Sequence, residues 1–203
     1  MSFYNVAKAI VRPIVKCLFR VEFVGTENVP KEKGFILVSN HRSLMDPIFI
    51  GLGIPMLPHF MAKKELFFFP LSVIIKALGA FPVNRGKGDN SAILTAEKII
   101  RENKVLAMFP EGTRSKSGNP LPIKSGAIRI AHQTKSGVLP VGITFKGKLR
   151  LFKKVVVRFG EFIEFENLNT GDGKTADIKS ASENLMNEII KLVDMDVTLG
   201  VKK

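Results

Sequence analysis

Between residues 34 and 165 the chain alternates short apolar runs with longer amphipathic stretches, and this alternation limits the folds open to it. Runs of four to eight apolar residues bounded by turn signals read as strands buried on both faces. They are expected at Gly34–Ser39, Leu57–Ala62, Gly79–Val83, Val105–Phe109, Val138–Phe145, Val155–Phe159 and Ile163–Phe165. Helical periodicity falls between them. It is expected from Pro47 to Gly53 with Asp46 as N-cap, over Leu66–Leu78, over Ser91–Arg101 with Ile93, Leu94, Ile99 and Ile100 inward, and over Gly126–Gln133. Thr175 then opens a last amphipathic helix carrying Ile178, Leu185, Ile189, Leu192 and Val193 on one side. Strand–helix–strand alternation implies an α/β layered domain with a largely parallel central sheet flanked by helices.

The N-terminal stretch is a different object. Lys8, Arg12, Lys16 and Arg20 recur every four residues, while Val6, Ile10, Ile14, Val15, Leu18 and Phe19 cover another side. A basic amphipathic helix of this kind either lies in a membrane interface or packs on the domain. Pro13 is expected to kink it. The expected division is a docking segment at 1–20 and one further domain at 21–203. Charge every turn argues against a secretory signal. The lone Cys17 fits a reducing compartment.

From Pro47 to Val83 there are 37 residues and four charges, Lys63, Lys64, Glu65 and Lys76. A helical span needs about 20 apolar residues in sequence, and prolines and glycines interrupt this segment first. It is either core or an apolar groove, with Phe67–Phe69 as its most lipid-like part. The 31 Lys and Arg exceed the 18 acids by 13, which points to acidic partners. Sixteen Phe with one Tyr and no Trp suit apolar grooves and lipid better than bases. Lys146, Lys148, Arg150, Lys153, Lys154 and Arg158 form a second basic cluster, facing anionic lipid, an acidic carrier protein or solvent.

Several familiar chemistries are excluded. Gly173-Lys174-Thr175 lacks the upstream glycine of a phosphate loop, because Leu168 stands there. No G-x-S-x-G elbow exists, and His41, His59 and His132 have no zinc spacing. Two motifs remain. In Asn40-His41-Arg42-Ser43-Leu44-Met45-Asp46 a histidine follows a strand and an aspartate precedes a Pro-initiated helix. On a strand–turn–helix corner the carboxylate can take the ring N–H and make the other nitrogen a base; the plain alternative is a turn histidine and an N-cap. In Phe109-Pro110-Glu111-Gly112-Thr113-Arg114-Ser115, at a strand's carboxyl end, Gly112 allows close approach and Arg114 offers a phosphate-matched fork. Glu111 either orients Arg114 or binds a substrate hydroxyl; alone, the stretch is also compatible with a simple turn.

Taken in order, these two motifs with Gly79-Ala80-Phe81-Pro82-Val83-Asn84-Arg85 and Val138-Leu139-Pro140-Val141 resemble the glycerolipid acyltransferase family, nearest its bacterial 1-acylglycerol-3-phosphate members. The likeness covers residues 20 to 165. It implies transfer of an acyl chain from an acyl carrier protein or coenzyme A thioester to the sn-2 hydroxyl of lysophosphatidic acid, giving phosphatidic acid. It implies His41 as general base and Asp46 as its partner, with no acyl-enzyme. It assigns the acceptor to Lys63 (or the tandem Lys64), Arg85, Glu111, Gly112, Thr113 and Arg114, and makes Pro140 structural. No cofactor, no metal and no nucleic acid are expected. The expected setting is peripheral, on the cytoplasmic face of the cell membrane, at an anionic surface. The competing expectations are another acceptor, such as glycerol 3-phosphate or a different lysolipid, and a basic membrane- or nucleic-acid-binding module.

Overall fold

The computed structural model describes residues 3–69, 71–77, 79–83, 90–115 and 121–198. Its strands are β1 (Arg20–Val24), β2 (Phe35–Ser39), β3 (Pro58–Lys63), β4 (Phe81–Val83), β5 (Val105–Met108), β6 (Val138–Thr144) and β7 (Lys154–Phe159). The helices are α1 (Phe3–Leu18), α2 (Asp46–Gly53), α3 (Leu71–Ala77), α4 (Asn90–Arg101), α5 (Gly126–Thr134) and α6 (Thr175–Thr198). The seven strands form one sheet in the order β1-β7-β6-β2-β5-β3-β4. The pairs β6–β2, β2–β5, β5–β3 and β3–β4 are parallel, as the alternation implies. β7 runs antiparallel to β6, and β1 lies parallel to β7. The carboxyl ends of β2 to β6 therefore share one edge, where the β6–β7 hairpin also turns.

Alternating side chains of β2 show why these runs are apolar throughout. Phe35 and Leu37 enter the layer under α1 and α2, while Ile36 and Val38 enter the layer under α4, α5 and α6. Both faces are covered, so neither tolerates a charge. Pro140 sits in β6, between two neighbours. Proline cannot donate to a ladder. Here its carbonyl takes the Gly160 N–H at 2.9 Å, and the missing reciprocal donor falls where the pairing with β7 stops.

Several expectations are corrected. β1 was not anticipated, because Arg20-Val21-Glu22-Phe23-Val24 alternates charge with apolar residues and is only half covered. Ile163 makes a single antiparallel bridge to Val138, and a 3-10 turn over Phe165–Leu168 takes the place of the rest of the strand. The helix expected at Leu66–Leu78 is shorter: Lys64–Leu66 form a 3-10 turn and α3 begins at Leu71. Leu94 faces outward at 65% exposure, and Ala96 takes the inner position with Ile99 and Ile100. Met45 precedes α2, and Asp46 is not its side-chain cap.

α1 carries helical structure through Pro13. Its apolar residues divide into two stripes. Tyr4, Val15 and the following Phe19 are buried, with Val11 and Leu18 packed against the same core. Tyr4 Oη donates to the Gly51 carbonyl at 2.8 Å, and Phe19 meets Phe49 edge to face at 5.5 Å. Val6, Ile10 and Ile14 form a second stripe exposed to solvent. Among the described residues, no helix is long and apolar enough to cross a membrane.

Candidate active site

The register of β2 against β5 sets Val38 beside Met108, so the chains leaving these strands emerge side by side. One carries Asn40-His41, the other Phe109-Pro110-Glu111. Asn40 extends β2 by proxy: its amide donates to the Ile143 carbonyl at 3.0 Å and accepts the Ile143 N–H at 2.8 Å. This fixes the chain direction just before His41.

The corner brings His41 and Asp46 together. His41 Nδ1 lies 2.9 Å from Asp46 Oδ2. The same oxygen accepts the backbone N–H of Arg42 and of Ser43, each at 2.7 Å. Asp46 is fully buried, and its Oδ1 has no hydrogen-bond partner among the described residues. A carboxylate only accepts, so Nδ1 carries the hydrogen and Nε2 is left as the basic nitrogen. The imidazole stacks on Phe109 with centroids 4.0 Å apart, and Phe109 stacks on Phe60 at 5.8 Å. These rings fix the plane of the imidazole, and the oxygen of Asp46 fixes its rotation.

Glu111 stands directly behind the His41 corner. It is buried, its Oε1 accepts the His41 backbone N–H at 3.0 Å, and its Oε2 accepts the Leu121 N–H at 3.1 Å. Each oxygen holds one main-chain N–H, so Glu111 braces the His41 corner, and each keeps a second acceptor site. Burial pushes its carboxyl up, against the downward pull of the two N–H bonds and of His41. The His41 carbonyl in turn accepts the Ser115 N–H at 2.8 Å. The two motifs are therefore bound to each other on both sides of the histidine.

Gly112 turns the loop with φ +70, and Lys124 lies over it: a Cβ at Gly112 would come 3.0 Å from Lys124 Nζ. The Lys124 N–H is held by the Pro110 carbonyl at 2.9 Å. Reading the sequence missed this cation, because nothing in its neighbourhood of residues marks it; only the fold returns it to the loop. Thr113 and Arg114 are exposed beside it. Lys63 ends β3 at the same edge and pairs with Glu65 at 3.0 Å, both well exposed. Arg85 lies outside the described residues, two positions beyond the end of β4 at that edge.

Arg42 faces the other way. Its guanidinium donates to the Phe145 carbonyl at 2.8 Å and the Gly147 carbonyl at 3.4 Å and covers the Phe145 ring at 4.2 Å. Its Nε is buried without a partner among the described residues, and burial pulls its basicity down.

The chain is similar to known proteins. The model of the family described as Acyltransferase matches residues 20–144. A 1-acyl-sn-glycerol-3-phosphate acyltransferase of Bacillus subtilis is 37% identical over 138 residues, which is 66% of this chain and 68% of that protein. Proteins of the same name from Borreliella burgdorferi (31% identical) and, as the beta form, from Homo sapiens (32%) match 60% of this chain each. The chain spans about half the length of these two, 50% and 45% respectively. The crystal structure of the 1-acyl-sn-glycerophosphate acyltransferase PlsC from Thermotoga maritima superposes with a TM-score of 0.65 at 31% identity, covering 85% of this chain and 71% of that one. With most of its sheet, its histidine corner and its Glu-Gly-Thr-Arg loop inside the matched region, the chain belongs to the acyltransferase family.

Proposed function

We propose that this acyltransferase moves an acyl chain from a thioester, on acyl carrier protein or coenzyme A, to the sn-2 hydroxyl of lysophosphatidic acid and releases phosphatidic acid. The observation that carries this reading is the oriented dyad, with Nδ1 of His41 on buried Asp46 and the histidine main chain clamped by Glu111 and Ser115. His41 Nε2 takes the proton of the acceptor hydroxyl as its oxygen attacks the thioester carbonyl. The C–S bond breaks as the tetrahedral intermediate collapses, and the imidazolium returns the proton to the thiolate. Asp46 stabilises the imidazolium through the Nδ1–H bond. No residue is acylated on this route.

Relatives named for 1-acyl-sn-glycerol-3-phosphate support the acceptor. Its phosphate is held by cations at the carboxyl edge, Arg114, Lys124 and Lys63, and the resemblance adds Arg85. The forked guanidinium of Arg114 is matched to phosphate oxygens. Gly112 and Thr113 shape the turn between them. The acceptor lives in a bilayer, so the protein docks as a peripheral protein on the cytoplasmic face. The exposed stripe Val6, Ile10 and Ile14 of α1, with Arg12 and Lys16 alongside, provides the contact. The free thiol of Cys17 is in keeping with that compartment.

The test is an activity matrix of acyl carrier protein and coenzyme A thioesters against lysophosphatidic acid, glycerol 3-phosphate and a phosphate-free monoacylglycerol. Phosphatidic acid formed without a burst of acyl-enzyme is expected. Equal use of the phosphate-free acceptor overturns the acceptor assignment, and full activity in His41→Ala overturns the mechanism.

A further inference from the structure

The β6–β7 hairpin joins cations and exposed apolar side chains in one turn. From Phe145 to Lys154 it reads Phe-Lys-Gly-Lys-Leu-Arg-Leu-Phe-Lys-Lys, with no acid. Lys154 pairs with Glu22 at 2.8 Å, and Lys153 Nζ donates to the Lys146 carbonyl at 3.0 Å. Lys146, Lys148 and Arg150 are exposed and have no ion-pair partner among the described residues. Beside them Leu151 is 58% and Phe152 65% exposed. Phe152 also holds φ +61, a left-handed conformation that bulky side chains rarely adopt. A turn selected only for its backbone would have glycine or asparagine there. The chain instead keeps a large apolar ring in water on a strained residue, which points to use outside the fold.

The hairpin is tied to two other places. Its Phe152 N–H donates to the Leu18 carbonyl at 2.7 Å, joining it to the end of α1. Its Phe145 and Gly147 carbonyls accept from Arg42, whose own N–H binds the Asp46 oxygen that orients His41. Leu44, exposed in that same corner, adds another apolar side chain. The family model's match ends at residue 144, just before this hairpin.

We propose that the Lys146–Phe152 hairpin is a docking element for anionic bilayers, latched to the catalytic corner by Arg42. This rests on the reading that the acceptor is a membrane lipid. Three unpaired cations beside an exposed Leu and Phe match a surface with anionic headgroups over apolar chains. An acidic carrier protein would complement the cations too, and its KM separates it from a bilayer. Arg42 is a positioning residue: the hairpin it grips and the carboxylate it caps lie at its two ends. The docked hairpin thus fixes the loop carrying His41 at the surface from which the lysolipid arrives.

The experiment is sedimentation of the full chain with vesicles of phosphatidylcholine, with and without phosphatidylglycerol, alongside turnover. In the triple variant Lys146→Ala, Lys148→Ala, Arg150→Ala, partition onto anionic vesicles should fall about tenfold to a hundredfold. Partition onto neutral vesicles should not change. Turnover of a short-chain, water-soluble lysophosphatidate should stay within about twofold, while turnover of the vesicle-borne acceptor falls with binding. Phe152→Gly should weaken partition onto both vesicles about tenfold, yet melt no lower than wild type because the strain is relieved. Unchanged vesicle binding in the triple variant overturns the proposal. So does a raised KM for acyl carrier protein with vesicle binding intact, which makes the cations a protein dock. A lower melting temperature for Phe152→Gly makes Phe152 a packing residue and also overturns it. Absence of turnover in wild type counts against the functional reading alone, since sedimentation needs no catalysis.

Discussion

One oxygen of Asp46 receives three hydrogen bonds, from the His41 ring and from the Arg42 and Ser43 main chain. The carboxylate thus shapes the corner and orients the imidazole at once. Asparagine is nearly the same size, but its amide nitrogen repels whichever donor it faces, and its neutral oxygen no longer stabilises an imidazolium. Asp46→Asn should lower kcat by about 10⁴. Its thermal midpoint should also fall, because two main-chain donors lose a charged acceptor. Steady-state kinetics and a melt check both; a variant with normal kcat removes the dyad. Glu111 separates two roles in one measurement. If it binds acceptor, Glu111→Gln raises the acceptor KM. The geometry gives it two backbone amides instead, one of them on His41, so kcat should fall about tenfold to a hundredfold with KM little changed. The five-residue spacing of His41 and Asp46 allowed both a dyad and a turn histidine with an N-cap, and the resemblance favoured the dyad. The brace was not legible, because its partners are peptide N–H groups that carry no side-chain signature and one lies 70 residues away.

At the scale of the element, α1 shows what periodicity tells and what it leaves out. A four-residue repeat of cations identifies a helix with a basic side. It does not say which apolar residues meet the core, because Val6, Ile10 and Ile14 occupy an arc adjoining that of Val11, Val15 and Leu18. The position of α2 and β1 decides, and they cover only the second set. The same reason explains Leu94, one residue round from the buried face of α4, and β1, whose polar alternation is that of an edge strand. The two stripes of α1 call for opposite outcomes. Val15→Ala, in a site 3% exposed, should cost about 1–3 kcal/mol of stability, read from denaturant unfolding. Ile10→Ser, at 59% exposure, should leave stability within about 0.5 kcal/mol and reduce recovery of the protein with vesicles. Destabilisation by Ile10→Ser would mean that the outer stripe packs on protein.

The whole molecule gathers its chemistry on one edge. The parallel strands end there, the His41 imidazole and its carboxylate sit there, and the hairpin and the end of α1 are hydrogen-bonded there. The chain as a whole carries a surplus of 13 positive charges, and on the proposed docking that field would draw anionic lipid. Such a field is screened by salt, whereas the buried bonds of Asp46 are not, so ionic strength separates docking from chemistry. Raising salt from about 0.1 to 1 M shortens the screening length from about 10 to 3 Å. Turnover of acceptor in anionic vesicles should fall steeply over that range. In neutral vesicles only the contacts to the acceptor's phosphate are screened, and the fall should be smaller. Circular dichroism should remain unchanged throughout, because the core layers on both sides of the sheet are apolar. Equal salt sensitivity on the two kinds of vesicle would place the whole electrostatic effect at the acceptor phosphate and leave the surrounding field without a part in reaching the membrane.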